Sequence, residues 1–286
     1  MRSNRSPNSD SDQRASESWN SRRALAVVGL SLATIVALLL VVVTSQLLAL
    51  PVATFAGNTA AVVAGGALAV VLVLLAVWLL HRRRPNWTQI GLTLNRRAPV
   101  QVGVGIGIAG LIAVVCALVV SITGTANWHS SAQSKAWLLA LPINLATALL
   151  LQSFPEELMF RGHLQERLTK WLGPIAIVTA STLAFGIIHM ISGGPQNATE
   201  QLYVVLQATA FGFSCAAARY WSGTIWIAVG LHGGFHIWRG LLVPSETVVS
   251  FTGAITAIAG YLLVGMLFLA RARRQPDRRT QVENPV

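Results

Sequence analysis

Glu156-Glu157-Leu158-Met159-Phe160-Arg161 sets two adjacent carboxylates, and a guanidinium one helical turn later, inside a stretch that otherwise reads as a membrane-spanning helix. Burying a single ionisable side chain at the bilayer centre costs about 3 kcal/mol on insertion scales. A helical bundle does not need paired glutamates to hold together, so polar chemistry is expected at this point. Three histidines fall in later hydrophobic segments: His189, His232 and His236. Carboxylates and imidazoles buried together are the ingredients of acid–base or metal chemistry.

Working outward, the composition agrees with a membrane setting. The chain has 286 residues, of which 53% are hydrophobic and only 11% charged, and its mean hydropathy is +0.59. Those values lie in the range of polytopic membrane proteins. No stretch between the hydrophobic segments is long enough to build a soluble domain. The formal net charge of +11 would by itself suit nucleic acid, but the basic residues sit in short clusters beside hydrophobic runs. Such flanking clusters are topology signals and lipid-headgroup contacts; a lipid bilayer is the expected partner and nucleic acid is not. Cys116 and Cys215 both fall in hydrophobic segments and read as small apolar fillers.

Eight hydrophobic segments can be drawn, at roughly 24–48, 60–80, 100–122, 136–160, 174–190, 201–218, 224–243 and 251–270. Each approaches the ~20 residues a helix needs to cross the hydrocarbon layer. The expected fold is an all-α polytopic bundle of about eight transmembrane helices. It is organised as a disordered cytoplasmic tail (1–23), N-terminal spans (24–135), a core carrying the polar groups (136–243), a last span (244–270) and a basic cytoplasmic tail (271–286). All of the 21 Lys and Arg except Lys135 and Arg239 fall on one side of this topology, which places both termini in the cytoplasm. Gly103, Gly107 and Gly110 share one face of the third segment, a pattern for close helix packing.

Depth decides how the glutamate segment runs. If it ended at Arg161, the glutamates would lie near the membrane surface, and His189 some 22 Å deeper by the 1.5 Å rise per residue. The groups could not meet. If the helix continues through Arg167 and Lys170, Glu156 lies about 17–21 Å from that basic end, near the midplane. Counted from Thr224, His232 is about 12 Å deep and His236 about 18 Å, in the same band. The preferred span is therefore Asn144–Thr169, with Ala136–Ile143 lying along the interface. Pro155 either kinks this helix or opens a new one.

Spacing then assigns faces. Glu157 and Arg161 are i,i+4 and can pair; Phe185 and His189 are i,i+4; so are His232 and His236, whose imidazoles project to one side. Each group also has a bland reading: a register-locking ion pair, an interfacial histidine, imidazoles bonded to nearby carbonyls. His232-x-x-x-His236 invites zinc, with His189 or Glu156 completing the site. The glutamate of a His-Glu-x-x-His helix is missing, however: Gly233, Gly234 and Phe235 stand between the histidines.

Glu156-Glu157-x-x-x-Arg161, Phe185-x-x-x-His189 and His232-x-x-x-His236, in this order on three segments, resemble the CPBP intramembrane proteases. That family includes the type II CAAX prenyl endopeptidases and the bacteriocin-processing or self-immunity (Abi) proteins of bacteria. The resemblance covers about residues 136–240. It departs at His236, where the family usually has Asn or Asp. It implies peptide-bond hydrolysis within the membrane of a membrane-associated protein or peptide. Glu156 would activate water, His189 would orient or polarise it, His232 with His236 would stabilise the oxyanion, and Glu157 and Arg161 would brace the helix. A divalent metal such as zinc is the cofactor the family invites, with His189, His232, His236 and Glu156 as candidate ligands, yet the same residues can work without an ion. The Ala/Arg/Gly-rich composition suggests a bacterial plasma membrane. Arg239, on the face of His232 and His236, either holds a substrate carboxylate or snorkels to the interface. Two rival readings are a non-catalytic scaffold or bacteriocin self-immunity protein that keeps the fold, and a proton or solute transporter.

Overall fold

The computed structural model describes residues 8–125, 141–191, 197–242 and 251–274. Among them every regular element is helical. Helix α1 runs Asn8–Leu80 and breaks at Gly57, where φ 82° and ψ 168° place the backbone in a region essentially restricted to glycine. The break folds the chain back on itself. A Cβ on Gly65 would lie 3.1 Å from Gln46 and 3.4 Å from Ala49, whereas a straight helix would leave these residues some 24 Å or more apart. Two antiparallel arms result, Asn20–Thr54 and Gly57–Leu80.

Helix α1 is already helical at Asn8, the first described residue, within the polar segment expected to be disordered. The apolar arm that follows supplies a nucleus, so extending the helix back into this segment is cheap. Arg23 Nε donates to the Trp171 carbonyl at 2.9 Å, tying this arm to the connection after the glutamate helix. Residues 1–7 and 275–286, Lys135 and positions 136–140 lie outside the described residues.

Helix α2, Trp87–Ile90, is a single turn capped by the Asn86 side chain, and α3 spans Ala98–Ile122. The glutamate segment forms one continuous helix, α4, over 141–168. Two π-helical turns, Thr147–Ser153 and Leu158–Leu164, flank the short α-helical piece Phe154–Glu157. The chain stays helical through Phe160–Gly162, as the depth argument requires. It is already helical at Leu141, the first described residue there and earlier than the expected Asn144. Pro155 sits where the hydrogen-bond register changes; Phe154 N–H reaches back five residues to Leu149 O. The wider turn absorbs the proline without a break.

Helices α5 (Pro174–Ile188), α6 (Ala198–Ser222), α7 (Trp226–Leu242) and α8 (Phe251–Arg273) complete the bundle. The two arms of α1 together with α3, α6 and α8 are long and apolar enough to cross a membrane. Helices α5 and α7, at 15 and 17 residues, are shorter than a full crossing, and α4 is not among the five apolar spans. Each of the eight drawn segments contains helix among the described residues, and among those residues five helices qualify as crossings by themselves. Large apolar side chains face outward along the spans, among them Leu40, Leu111, Leu118 and Leu263. This is an integral membrane protein. Helix α6 forms its centre: 56% of its most apolar window is buried, against 17% for the first arm of α1.

Glycines bring α3 and α7 into backbone contact, though not the ones expected. Gly103 and Gly107 face open space. A Cβ on Gly105 would instead fall 2.3 Å from Ile227 O, and one on Gly230 would fall 2.1 Å from Val102 O. Helix α7 packs on the neighbouring stripe of α3, and of the three expected glycines only Gly110 meets it, against Trp238.

Candidate active site

The cluster is assembled by α4, α6 and α7, with α5 at its edge. Glu157 is wholly buried, and its Oε1 accepts two hydrogen bonds: from Arg161 Nη1 at 3.0 Å and from His232 Nδ1 at 2.8 Å. The first is the i,i+4 pair legible in the sequence. The second joins residues 75 positions apart, which only packing can arrange. Arg161, also wholly buried, donates through Nη2 to the Gly212 carbonyl at 2.9 Å. Its guanidinium lies over the Phe185 ring, 4.3 Å from the centroid, a cation–π contact strengthened by the absence of water.

Two α6 residues in this arrangement went unnoticed in the sequence. A Cβ on Gly212 would lie 3.0 Å from Phe185 and 3.3 Å from Arg161 Nη2, so glycine there leaves room for the guanidinium. Phe211 packs edge-on against His232, with ring centroids 5.0 Å apart. The available signal was the run of small residues Gly212 to Ala218, interrupted only by Phe213, on a helix whose neighbours must approach closely. The paired glycines between the histidines have the same explanation. A Cβ on Gly233 would strike Leu149 of α4 at 2.3 Å, and one on Gly234 would strike Ile106 and Ala109 of α3 at 2.8 Å. The His-Gly-Gly-Phe-His sequence is a packing device that seats α7 between α3 and α4.

Glu156 differs from its neighbour. Its side chain is 21% exposed, against 0% for Glu157, and its Oε2 lies 3.9 Å from His232 Nε2. That is beyond a direct hydrogen bond, yet one oxygen atom can sit within ~2.8 Å of both groups. Because His232 Nδ1–H is committed to Glu157, the ring is held in one orientation with Nε2 turned toward Glu156. A hydrogen bond at one imidazole nitrogen sets the role of the other.

His189 caps the C-terminal end of α5 and donates from Nδ1 to the Phe185 carbonyl at 2.9 Å. Phe185 touches both imidazoles, with centroid distances of 4.8 Å to His189 and 5.9 Å to His232. His236 stacks on His232 at 5.2 Å with the planes inclined by 25°. The proposed metal set does not fit this placement. Among the described residues no three His, Cys, Asp or Glu side chains converge to hold an ion. His232 and His189 each donate Nδ1–H to another partner, which leaves Nε2 as the nitrogen of each that could face an ion, and stacking lays the His236 ring over that of His232. The candidate quartet of His189, His232, His236 and Glu156 is corrected accordingly. Arg239 makes no hydrogen bond or ion pair with the glutamates among the described residues.

Residues 135–238 match the family model described as type II CAAX prenyl endopeptidase Rce1-like. The match contains every residue of the cluster and bears out the family resemblance read from the three motifs, that of a protease-type hydrolase. No curated protein matches the chain.

Proposed function

We propose that this chain, whose residues 135–238 carry the CAAX-endopeptidase-like core, is an intramembrane endopeptidase in which Glu156 activates the hydrolytic water. The observation that carries this reading is the contrast between the two adjacent glutamates: Glu157 is buried and doubly hydrogen-bonded, Glu156 is partly open and faces His232 Nε2. Glu157 and Arg161 are positioning residues. They hold His232 rigidly so that no reorganisation is needed as charge develops.

In the proposed reaction Glu156 takes a proton from water and the resulting hydroxide attacks the peptide carbonyl. With Nε2 protonated, His232 donates to the oxyanion, a contact of the kind worth about 3–4 kcal/mol. Collapse of the tetrahedral intermediate breaks the C–N bond, and Glu156 returns its proton to the leaving amine. His189, across Phe185, orients the water or the substrate. Substrates are membrane-associated proteins or peptides, prenylated or not, and the basic flanks support a topology in a bacterial plasma membrane with both termini on the cytoplasmic side.

The test is cleavage by purified protein, in detergent or vesicles, of a panel of membrane peptides. Glu156→Gln, which keeps the shape and removes the base, is expected to lower the rate at least ~100-fold while leaving the unfolding temperature within a degree or two. Retained cleavage by Glu156→Gln would overturn the assignment. Loss in Arg161→Met but not in Glu156→Gln would leave only a structural cluster.

A further inference from the structure

Helix α5 ends at Ile188, and the way it ends fixes the imidazole that follows. The last carbonyls of a helix have no intrahelical donor and must find one elsewhere. Here a tightened final turn meets them. His189 N–H turns to Gly186 O at 3.1 Å, Met190 N–H to Ile187 O at 3.0 Å, and Ile191 N–H to Ile188 O at 3.4 Å. Because the His189 N–H bonds to Gly186, the Phe185 carbonyl is left for the ring, and Nδ1–H takes it at 2.9 Å. If the helix ran on, the backbone N–H of His189 would claim the Phe185 carbonyl. The imidazole would then lose its acceptor.

One carbonyl remains, that of His189 itself, and a side chain from the next helix supplies its donor. Gln201 Nε2, 12 positions further along the chain, donates to His189 O at 2.6 Å in a partly buried setting. Gln201 stands in the first turn of α6, and that turn is itself held in place. Asn197 Oδ1 accepts from Glu200 N–H, and Asn197 Nδ2 donates to Glu200 Oε1, both at 2.9 Å. The amide therefore reaches His189 from a capped helix, a more rigid support than a loop. None of the three sequence motifs contains Gln201.

We propose that Gln201 is the positioning residue of His189. By occupying the His189 carbonyl it stops α5 from winding on, which keeps Nδ1–H on Phe185 O and makes Nε2 the reacting nitrogen. Phe185 lies against both imidazoles, 4.8 Å from His189 and 5.9 Å from His232, so a displaced His189 disturbs the packing of the whole site. The inference rests on the hydrolytic reading above, in which His189 orients the water or the substrate.

The experiment uses the full chain in detergent and a membrane peptide that the wild type cleaves. Gln201→Ala is expected to lower kcat at least ~10-fold and to leave KM within about twofold. Made on a His189→Ala background, the same change is expected to cost less than about twofold, because its target is already gone. Equal losses in both backgrounds would reveal only a clamp on the α5–α6 connection and overturn the proposal. Full kcat in folded Gln201→Ala would overturn it as well. A second readout needs no cleavage: the ring-nitrogen NMR signals of the histidines, assigned with His189→Ala. Gln201→Ala is expected to shift or broaden the His189 signals and leave those of His232 in place; unchanged His189 signals would refute the positioning role whatever the activity. If Gln201→Ala does not fold, Gln201→Met keeps the length without the donor and decides the same points. Failure of the hydrolytic reading has its own sign, cleavage retained in Glu156→Gln, on which the histidine spectrum does not depend.

Discussion

Helix α4 carries two clusters that pair glutamate with histidine, and they are built differently. Around Glu157, a guanidinium and an imidazole share one carboxylate oxygen, three helices contribute, and the ion pair is wholly buried. Toward the other end of the helix, His163 Nδ1 meets His81 Nε2 at 3.0 Å and Glu166 lies 3.8 Å from His81. Both clusters leave one carboxylate oxygen and one guanidinium Nε buried without hydrogen-bond partners among the described residues, Glu157 Oε2 and Arg161 Nε in the first, Glu166 Oε2 and Arg219 Nε in the second. The difference lies in the direct hydrogen bonds that tie Glu157 to Arg161 and His232. The residue types are nearly the same; the degree to which they are fixed is not. A reacting site needs groups already held where charge will appear, and only the first cluster has that bracing.

The largest effect expected from breaking this contrast comes from Arg161. Arg161→Ala leaves the Glu157 carboxylate buried without its cation, which costs about 3–5 kcal/mol. A large drop in unfolding temperature, or no folded protein at all, is expected in detergent melts. An Arg161→Ala protein as stable as wild type would show that the pair does not brace the cluster. Glu156→Gln sharpens the comparison from the other side, with activity lost and stability kept.

An intermediate effect is expected at the α3–α7 contact. In Gly230→Ala the new methyl meets the Val102 carbonyl at 2.1 Å, and backbone cannot step aside as a flexible side chain would. Overpacking of this kind costs about 1–3 kcal/mol. Because His232 rides on the same helix two residues on, cleavage should fall more than stability does. Gly103→Ala, facing open space, is the matched control and should leave both within error.

The smallest effect belongs to the second cluster. Burial holds His81 below the ordinary imidazole range, with the neighbouring Glu166 carboxylate opposing that shift and Arg167 and Lys170 adding to it. The folded protein therefore takes up this proton at lower pH than the unfolded chain. Stability from this group is complete above about pH 6.5 and declines as the pH falls below it. Melts between pH 7.5 and 5 should show that decline in the wild type and a shallower one in His81→Asn. Cleavage corrected for folded fraction should be the same in both. A His81→Asn variant that abolishes cleavage while folded would erase the distinction between the clusters.

Much of this architecture was legible from residue patterns. Depth counting at 1.5 Å per residue already required α4 to run past Arg161, and the i,i+4 rule already paired Glu157 with Arg161. Local geometry suffices for such statements, because rise and face are properties of a single helix. The partner of His232 was not legible. Sequence reasoning directed it to the oxyanion, to a metal ion or to a nearby carbonyl, whereas packing makes Glu157 its anchor and leaves Glu156 opposite its second nitrogen. The helix at Asn8 was missed because composition describes an isolated segment, while a helix already nucleated next door extends at little cost.

By itself the chain of residues determined that this is an all-helical membrane protein with its acidic and imidazole groups at one depth, since hydrophobic length and helical rise are one-dimensional quantities. Only the tertiary structure decided which carboxylate braces and which stays open, which glycines let α3 and α7 touch, and that His236 stacks on His232. The first two of those outcomes depend on distances between helices far apart in sequence. Such distances are set by how closely backbones pack, to fractions of an ångström that no spacing pattern encodes.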